Sequence, residues 1–222
     1  MGKGFVGNLT IVGEWLYFLL MLQLIWFAGL ILGGIVLGIF PATYAVFVIV
    51  RNRLREGDIK ISRRFWKVYK TNFLKRQIGG WIWILIGILI YYDIRLMFAY
   101  YNLFGFVVGS FFISILIIYG LCTMLLLPIY SNYELTILNR IRLALIIAVT
   151  FPHISVGLSL FTVAIYIIAI KIPTLVLLIG ISLVALIYTY LSSFAFQKIE
   201  ETGFIGTSIR IEEEGLHEAR TK

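Results

Sequence analysis

Residues 51–76 read RNRLREGDIKISRRFWKVYKTNFLKR and lie between apolar stretches of membrane-spanning length. They hold ten Lys or Arg (Arg51, Arg53, Arg55, Lys60, Arg63, Arg64, Lys67, Lys70, Lys75 and Arg76) against two acids, Glu56 and Asp58. Short segments rich in Lys and Arg beside a span remain on the cytoplasmic side, so this block is expected to face the cytoplasm and to orient the chain. The composition agrees: 61% apolar residues and a mean hydropathy of +0.99 exceed the roughly half-apolar content of a soluble domain. The reading is an all-α, polytopic integral membrane bundle.

Working outward from the block, a span needs about twenty apolar residues, and only helices or closed barrels satisfy their backbone in lipid. The runs here are too long and continuous for barrel strands. The first span is expected over Trp15 to about Leu37. Apolar sequence continues from Pro41 to Val50, too short to cross again, and Pro41 suits the first turn of a new helix over Ala42 to about Arg55. That helix is expected to leave the bilayer at a shallow angle or to line a cavity. A second, amphipathic helix follows at about Ser62 to Lys75, with Phe65, Tyr69 and Phe73 at four-residue steps, lying in the inner interface.

Beyond the block, Ile78 to Pro128 holds two spans, with an outer turn near Asp93, Arg95 and Asn102 among Tyr91, Tyr92, Tyr100 and Tyr101. A polar stretch from Ser131 to Arg142 precedes an outward crossing from about Leu143 to Ile170. The chain then turns at Lys171 and Pro173 and crosses inward to Phe196. Five spans result, with the N-terminus outside and the C-terminus cytoplasmic. Sixteen of nineteen basic residues then lie inside, and Lys3, Arg95 and Lys171 lie outside. An even number of spans requires Ala42 to Val50 to cross, against which its length argues.

The expected organisation is therefore one membrane domain, residues 1–196, including cytoplasmic basic helices at 42–76, and a cytoplasmic tail at 197–222. The tail carries four basic and six acidic residues. Its alternating Ile205, Thr207, Ile209 and Ile211 suit a strand only if an edge is offered, and a mobile tail is the plainer expectation. The net charge of +8 is concentrated beside the membrane, so anionic lipid at the inner surface is the expected partner and nucleic acid is not. The N-terminus has no strongly basic region ahead of its apolar run, and Glu14 interrupts the approach, so no cleaved signal peptide is expected. Cys122 has no intrachain partner and is assigned to packing.

Residues with chemical potential are sparse. Two histidines and one cysteine give no metal constellation, and no phosphate loop, nucleophile elbow or zinc-protease motif occurs, so neither a cofactor nor an enzyme activity is expected. Ionisable groups near the membrane are candidates for a pathway, and Asp93, Arg95 and His153 are the ones retained. Glu14, Asp93, Arg95 and Lys171 fall near the outer boundary, where interface anchoring explains them. His153 follows Pro152. If Arg140 to Phe151 forms a shallow helix and the span starts at Pro152, the histidine belongs to the inner interface, and the proline favours that reading. Small residues four apart, Gly29 and Gly33, Gly34 and Gly38, Gly105 and Gly109, Ser155 and Ser159, permit close helix approach inside the bundle or against another subunit.

Three blocks in order, Gly38-Ile-Phe-Pro-Ala-Thr-Tyr-Ala-Val-Phe47, Val50-Arg-Asn-Arg-Leu-Arg-Glu-Gly57 and Phe65-Trp-Lys-Val-Tyr-Lys-Thr-Asn-Phe73, are followed by Leu127-Pro-Ile-Tyr130, Leu138-Asn-Arg140 and Ala144 to Pro152. This order resembles the YesL-type family of bacterial multi-pass membrane proteins over residues 14 to about 196. The family has no defined biochemical role and occurs with sugar uptake systems and polysaccharide degradation in Gram-positive bacteria. The resemblance implies an accessory, noncatalytic membrane subunit of a carbohydrate (oligosaccharide) ABC importer, contacting permease subunits and, through them, their ATPase. Expected contact residues are Pro41, Thr43, Arg51, Arg55, Phe65, Trp66, Asn72, Phe73, Asn139 and Arg140. A homo-oligomer is compatible with the same faces. The competing reading is a small autonomous or homo-oligomeric transporter or channel, with Asp93, Arg95 and His153 in its pathway.

Overall fold

The computed structural model describes residues 2–100, 102–133 and 135–201. Among them the chain forms eight helices and no strand: α1 (Gly2–Leu32), α2 (Ile39–Glu56), α3 (Ile61–Lys70), α4 (Phe73–Ala99), α5 (Leu103–Asn132), α6 (Ile137–Thr150), α7 (Pro152–Lys171) and α8 (Pro173–Glu201). Five stretches are long and apolar enough to cross a membrane, namely Thr10–Leu32, Phe73–Ala99, Leu103–Asn132, Pro152–Lys171 and Pro173–Ile199. The all-helical, multi-pass reading holds. The alternating piece at 205–211 lies outside the described residues.

Four boundaries differ from expectation for local reasons. First, α1 stops at Leu32 rather than Leu37, because Gly34 (φ 69°) adopts the left-handed conformation, the Ile35 N–H donates to Leu30 O (2.7 Å) and the Gly34 N–H to Ile31 O (3.0 Å). These bonds satisfy carbonyls at the helix end. Second, α3 ends at Lys70 and Asn72 sits at φ 55°, so Phe73 and Lys75 begin α4. Phe73 still packs on Tyr69 across the break, at 5.4 Å between ring centroids, which is why the four-residue rhythm runs past the helix end. Third, Asp93 and Arg95 lie within α4. The turn falls after Ala99, where Asn102 caps α5 by accepting from the Gly105 N–H (2.7 Å). Fourth, in place of one crossing from Leu143, the chain divides at Phe151 into α6 and α7 with Pro152 in the first turn of α7, as the alternative favoured by that proline expects.

α2 is packed within the bundle against α1, α4, α5 and α8. It folds back along α1: Trp26 Nε1 donates to Thr43 Oγ1 (3.2 Å), and the Arg53 guanidinium carbon lies 5.8 Å from the Trp15 ring and 5.6 Å from Phe18. Residues 41, 42 and 45–50 of α2 are buried, so the short apolar run is covered by protein. Its partners include Tyr188 of α8, which meets Phe47 at 6.4 Å. Gln23 of α1, 2% exposed, accepts from the Ser182 N–H of α8 (3.2 Å), which satisfies a buried amide oxygen in an apolar setting.

A chain of contacts then identifies one end of the bundle. Trp15 meets Arg53, Arg55 donates to Asn132 Oδ1 (3.0 Å), and Tyr133 meets Phe196 (5.3 Å). The start of α1 and the end of α8 therefore share an end. Gln77, near the start of α4, donates to the Val36 carbonyl ahead of α2 (3.1 Å), so the start of α2 lies near the start of α4 and its end near the end of α5.

Gly29 and Gly109 of the small-residue faces are covered inside this chain, whereas a Cβ on Gly34 would meet nothing within 4 Å. A Cβ on Gly29 would stand 3.3 Å from Ala42 Cβ and from the Phe65 ring, and one on Gly109 would stand 2.8 Å from Phe98. Cys122 is buried in the core.

Candidate functional site: arginines and tyrosines at the helix ends

Near the shared end, residues from four helices form one polar cluster. α2 contributes Tyr44 and Arg51, α4 contributes Arg76 in its first turn, α5 contributes Tyr130 and the Ser131 carbonyl in its last turn, and α6 contributes Arg140 in its first turn. The Arg76 guanidinium carbon is 3.8 Å from the Tyr44 ring centroid, and that of Arg140 is 3.7 Å from Tyr130. The two tyrosine rings meet edge to face at 5.0 Å, an arrangement their quadrupoles favour. A cation over a desolvated aromatic face contributes about 1–2 kcal/mol.

The hydrogen bonds explain why these residues stand where they do. Arg51 donates to the Ser131 carbonyl and, through Nη2, to Asn52 Oδ1 (3.0 Å). The first bond places a cation on an otherwise open carbonyl at the C-terminus of α5, where the helix dipole favours it. Arg76 Nη1 donates to Val68 O (2.5 Å) and thereby ties α4 back to α3. Pro128, inside α5, has its carbonyl satisfied by Ser131 Oγ (2.9 Å) and Asn132 Nδ2 (2.8 Å), which orders the end of α5 that carries Tyr130.

The electrostatics are one-sided. All three guanidiniums are close enough to act on the Tyr44 hydroxyl. Among the described residues the ion pairs are Arg53 with Asp58 and Arg64 with Glu56, and neither includes Arg51, Arg76 or Arg140. Glu56 acts on Arg51 from a distance while it pairs with Arg64. The Nε atoms of Arg76 and Arg140 are buried without a hydrogen-bond partner.

The other expected contact residues have mixed fates. Pro41 is buried, Thr43 accepts the Trp26 bond, and Phe65 is 0% exposed. Trp66 and Phe73 are half-buried around Tyr69. The Tyr69 hydroxyl donates to Gly29 O (2.8 Å), and burial holds its pKa above the ordinary 10.0, so it remains a donor. Arg55 and Asn72 are exposed, and Asn139 is half-buried on α6. Arg51 and Arg140 are brought together, whereas Tyr44, Arg76 and Tyr130 join them without having been singled out. Tyr44 and Tyr130 stand in the family-like blocks, but only tertiary pairing puts them in contact.

The pathway residues are not assembled. Asp93 and Arg95 are two positions apart on α4, so they face different sides of the helix, and His153 is exposed in the first turn of α7. The groove between α5, α6 and α7, about 290 Å³, is lined by apolar groups with Ser155 and Ser159 and contains no charged side chain. No group of three or more metal-ligating residues occurs among the described residues.

Comparison with known proteins supports the family. Residues 19–94 match the family described as protein of unknown function, DUF624. The chain is 23% identical to the uncharacterized protein YteU of Bacillus subtilis over 90% of each chain. It is 24% identical to the uncharacterized protein YesL of the same organism, over 84% of this chain and 88% of the relative. The uncharacterized protein YesV, also from Bacillus subtilis, is 25% identical over 79% of this chain and 85% of its own. No solved structure matches significantly. With the helical architecture and the ordered blocks around Pro41, Arg51 and Phe65, these matches support the likeness of the chain to the YesL-type family of multi-pass membrane proteins.

Proposed function

We propose that this protein is a noncatalytic membrane subunit that attaches laterally to permease helices of a carbohydrate ABC importer and stabilises or biases that complex. The observation that carries this reading is the α4–α5 hairpin. No residue in the most apolar window of α4 is buried, and the helix packs on α5 and, at its start, on α2. Trp81, Leu85, Leu89 and Tyr92 on α4, with Phe104, Val107 and Phe111 on α5, are exposed. In lipid such a face is stable alone and is also free to pack against another helix, because association there rests on shape and not on the hydrophobic effect. A subunit attached in this way changes transport only if it contacts the inward and outward states unequally.

The test is extraction of the tagged chain from its native membrane in mild detergent, followed by identification of proteins that copurify at fixed stoichiometry. Permease and ATPase subunits are the expected result. Recovery of the chain alone, with extraction verified on a known complex, transfers the assignment to an autonomous transporter.

Orientation is a second part of the proposal. The bacterial cell membrane and a cytoplasmic C-terminus are retained. The contact of Trp15 with Arg53 supports a cytoplasmic N-terminus, and the Gln77–Val36 bond supports the external one expected from five spans. A Cys122→Ala chain carrying Ile11→Cys is expected to resist a membrane-impermeant maleimide in intact cells and to react after lysis. Labelling in intact cells restores the external N-terminus.

A further inference from the structure

We propose that Arg51, Arg76 and Arg140, framed by Tyr44 and Tyr130, form a binding site for a phosphate group carrying net negative charge. This inference does not depend on the importer reading. The guanidiniums of Arg76 and Arg140 stack on one pair of tyrosines, that of Arg51 stands beside them on the Ser131 carbonyl, and no carboxylate among the described residues pairs with the three. Like charges held together at a partly buried position repel one another, and each buried N–H without an acceptor is destabilising.

A cluster that served only to fasten helices would not need two buried Nε–H groups lacking acceptors. A tetrahedral oxyanion supplies several acceptor oxygens and negative charge at once, and the planar fork of arginine matches it better than a point cation does. The tyrosines add hydroxyl donors, and the Arg76 guanidinium reaches both of them. The cluster stands at the last turn of α5 and the first turns of α4 and α6, where the ends of long apolar helices meet headgroups and water. Phosphate chemistry is therefore available from a lipid headgroup or from a soluble phosphate.

The experiment uses the purified full chain in neutral detergent and follows its thermal unfolding. It is titrated separately with inorganic phosphate and with phosphatidylglycerol, with chloride and phosphatidylcholine as controls. A saturable rise in the wild-type midpoint with phosphatidylglycerol alone identifies a lipid headgroup, whereas a rise with inorganic phosphate identifies a soluble source. In either case Arg76→Gln with Arg140→Gln is expected to weaken the response about tenfold or more, and Arg63→Gln with Lys67→Gln on exposed α3 to leave it within about twofold. Arg140→Lys retains the charge without the fork and is expected to be intermediate. Absence of a saturable rise with both probes in the wild type overturns the proposal, whatever the folding of the variants. An equal response in wild type and the double glutamine variant also overturns it and leaves the cluster as a helix fastener.

Discussion

Phe65→Ala is expected to lower the stability of the detergent-solubilised chain by about 3–5 kcal/mol, the usual cost of emptying a site filled by a buried phenylalanine. The ring is 0% exposed, touches the backbone side of Gly29, and packs beside Trp66 (5.4 Å) and Tyr69 (6.0 Å). It is the principal apolar group by which α3 holds the α1–α2 hairpin. The rest of the α3 surface is largely exposed and cationic, including Arg63, Lys67 and Lys70. Loss of the ring should therefore release α3 before the bundle unfolds, so trypsin is expected to cleave after Arg63 and Lys67 well below the main transition. Phe111→Ala, at a ring 64% exposed, is the matched control and should alter neither stability nor cleavage. Equal effects of the two changes would mean that Phe65 is not the anchor of α3.

Gly38→Ala is the second large effect, expected at about 1–3 kcal/mol, the range for inserting a methyl into close-packed structure. The added carbon would lie 2.8 Å from Gly29 O and 2.9 Å from Leu30 Cα. Both are backbone atoms, so no side-chain rotation relieves the contact. The α1–α2 hairpin must open, and the Trp26–Thr43 and Arg53–Trp15 contacts open with it. Gly79→Ala, where a methyl meets nothing within 4 Å, is expected to be neutral or to stabilise by up to about 1 kcal/mol through helix propensity. A reversible unfolding titration in mixed micelles compares the two, and indistinguishable midpoints would exclude a tight hairpin.

These residues also show where sequence reading succeeded. Long apolar runs identified the five span-length helices because their length alone meets the requirement of a bilayer. Pro152 divided α6 from α7 by removing an N–H and disfavouring helix just before it. The burial of α2 was hidden because the length rule measures whether lipid can cover a segment, whereas residues 42 and 45–50 are covered by protein. Asp93 and Arg95 suggested a turn by their charge, yet a helix in its last turns can carry charges that reach water. The turn is set instead by the local capping chemistry of Asn102. The arginine–tyrosine cluster was half legible: Arg51 and Arg140 were among the expected contact residues, but Tyr44, Arg76 and Tyr130 gain a place in it only from the pairing of four helices.

The spacing of that cluster along the chain also governs how the protein is made. Arg76 leaves the ribosome some 64 residues ahead of Arg140, an interval of about 3–13 s at ordinary synthesis rates. During that time α1 to α4 enter the membrane with two guanidiniums already present and the Tyr130 and Arg140 partners still unmade. Such an intermediate is suited to remain beside the insertion machinery until α6 arrives, so the final shape of the first half of the chain awaits the second.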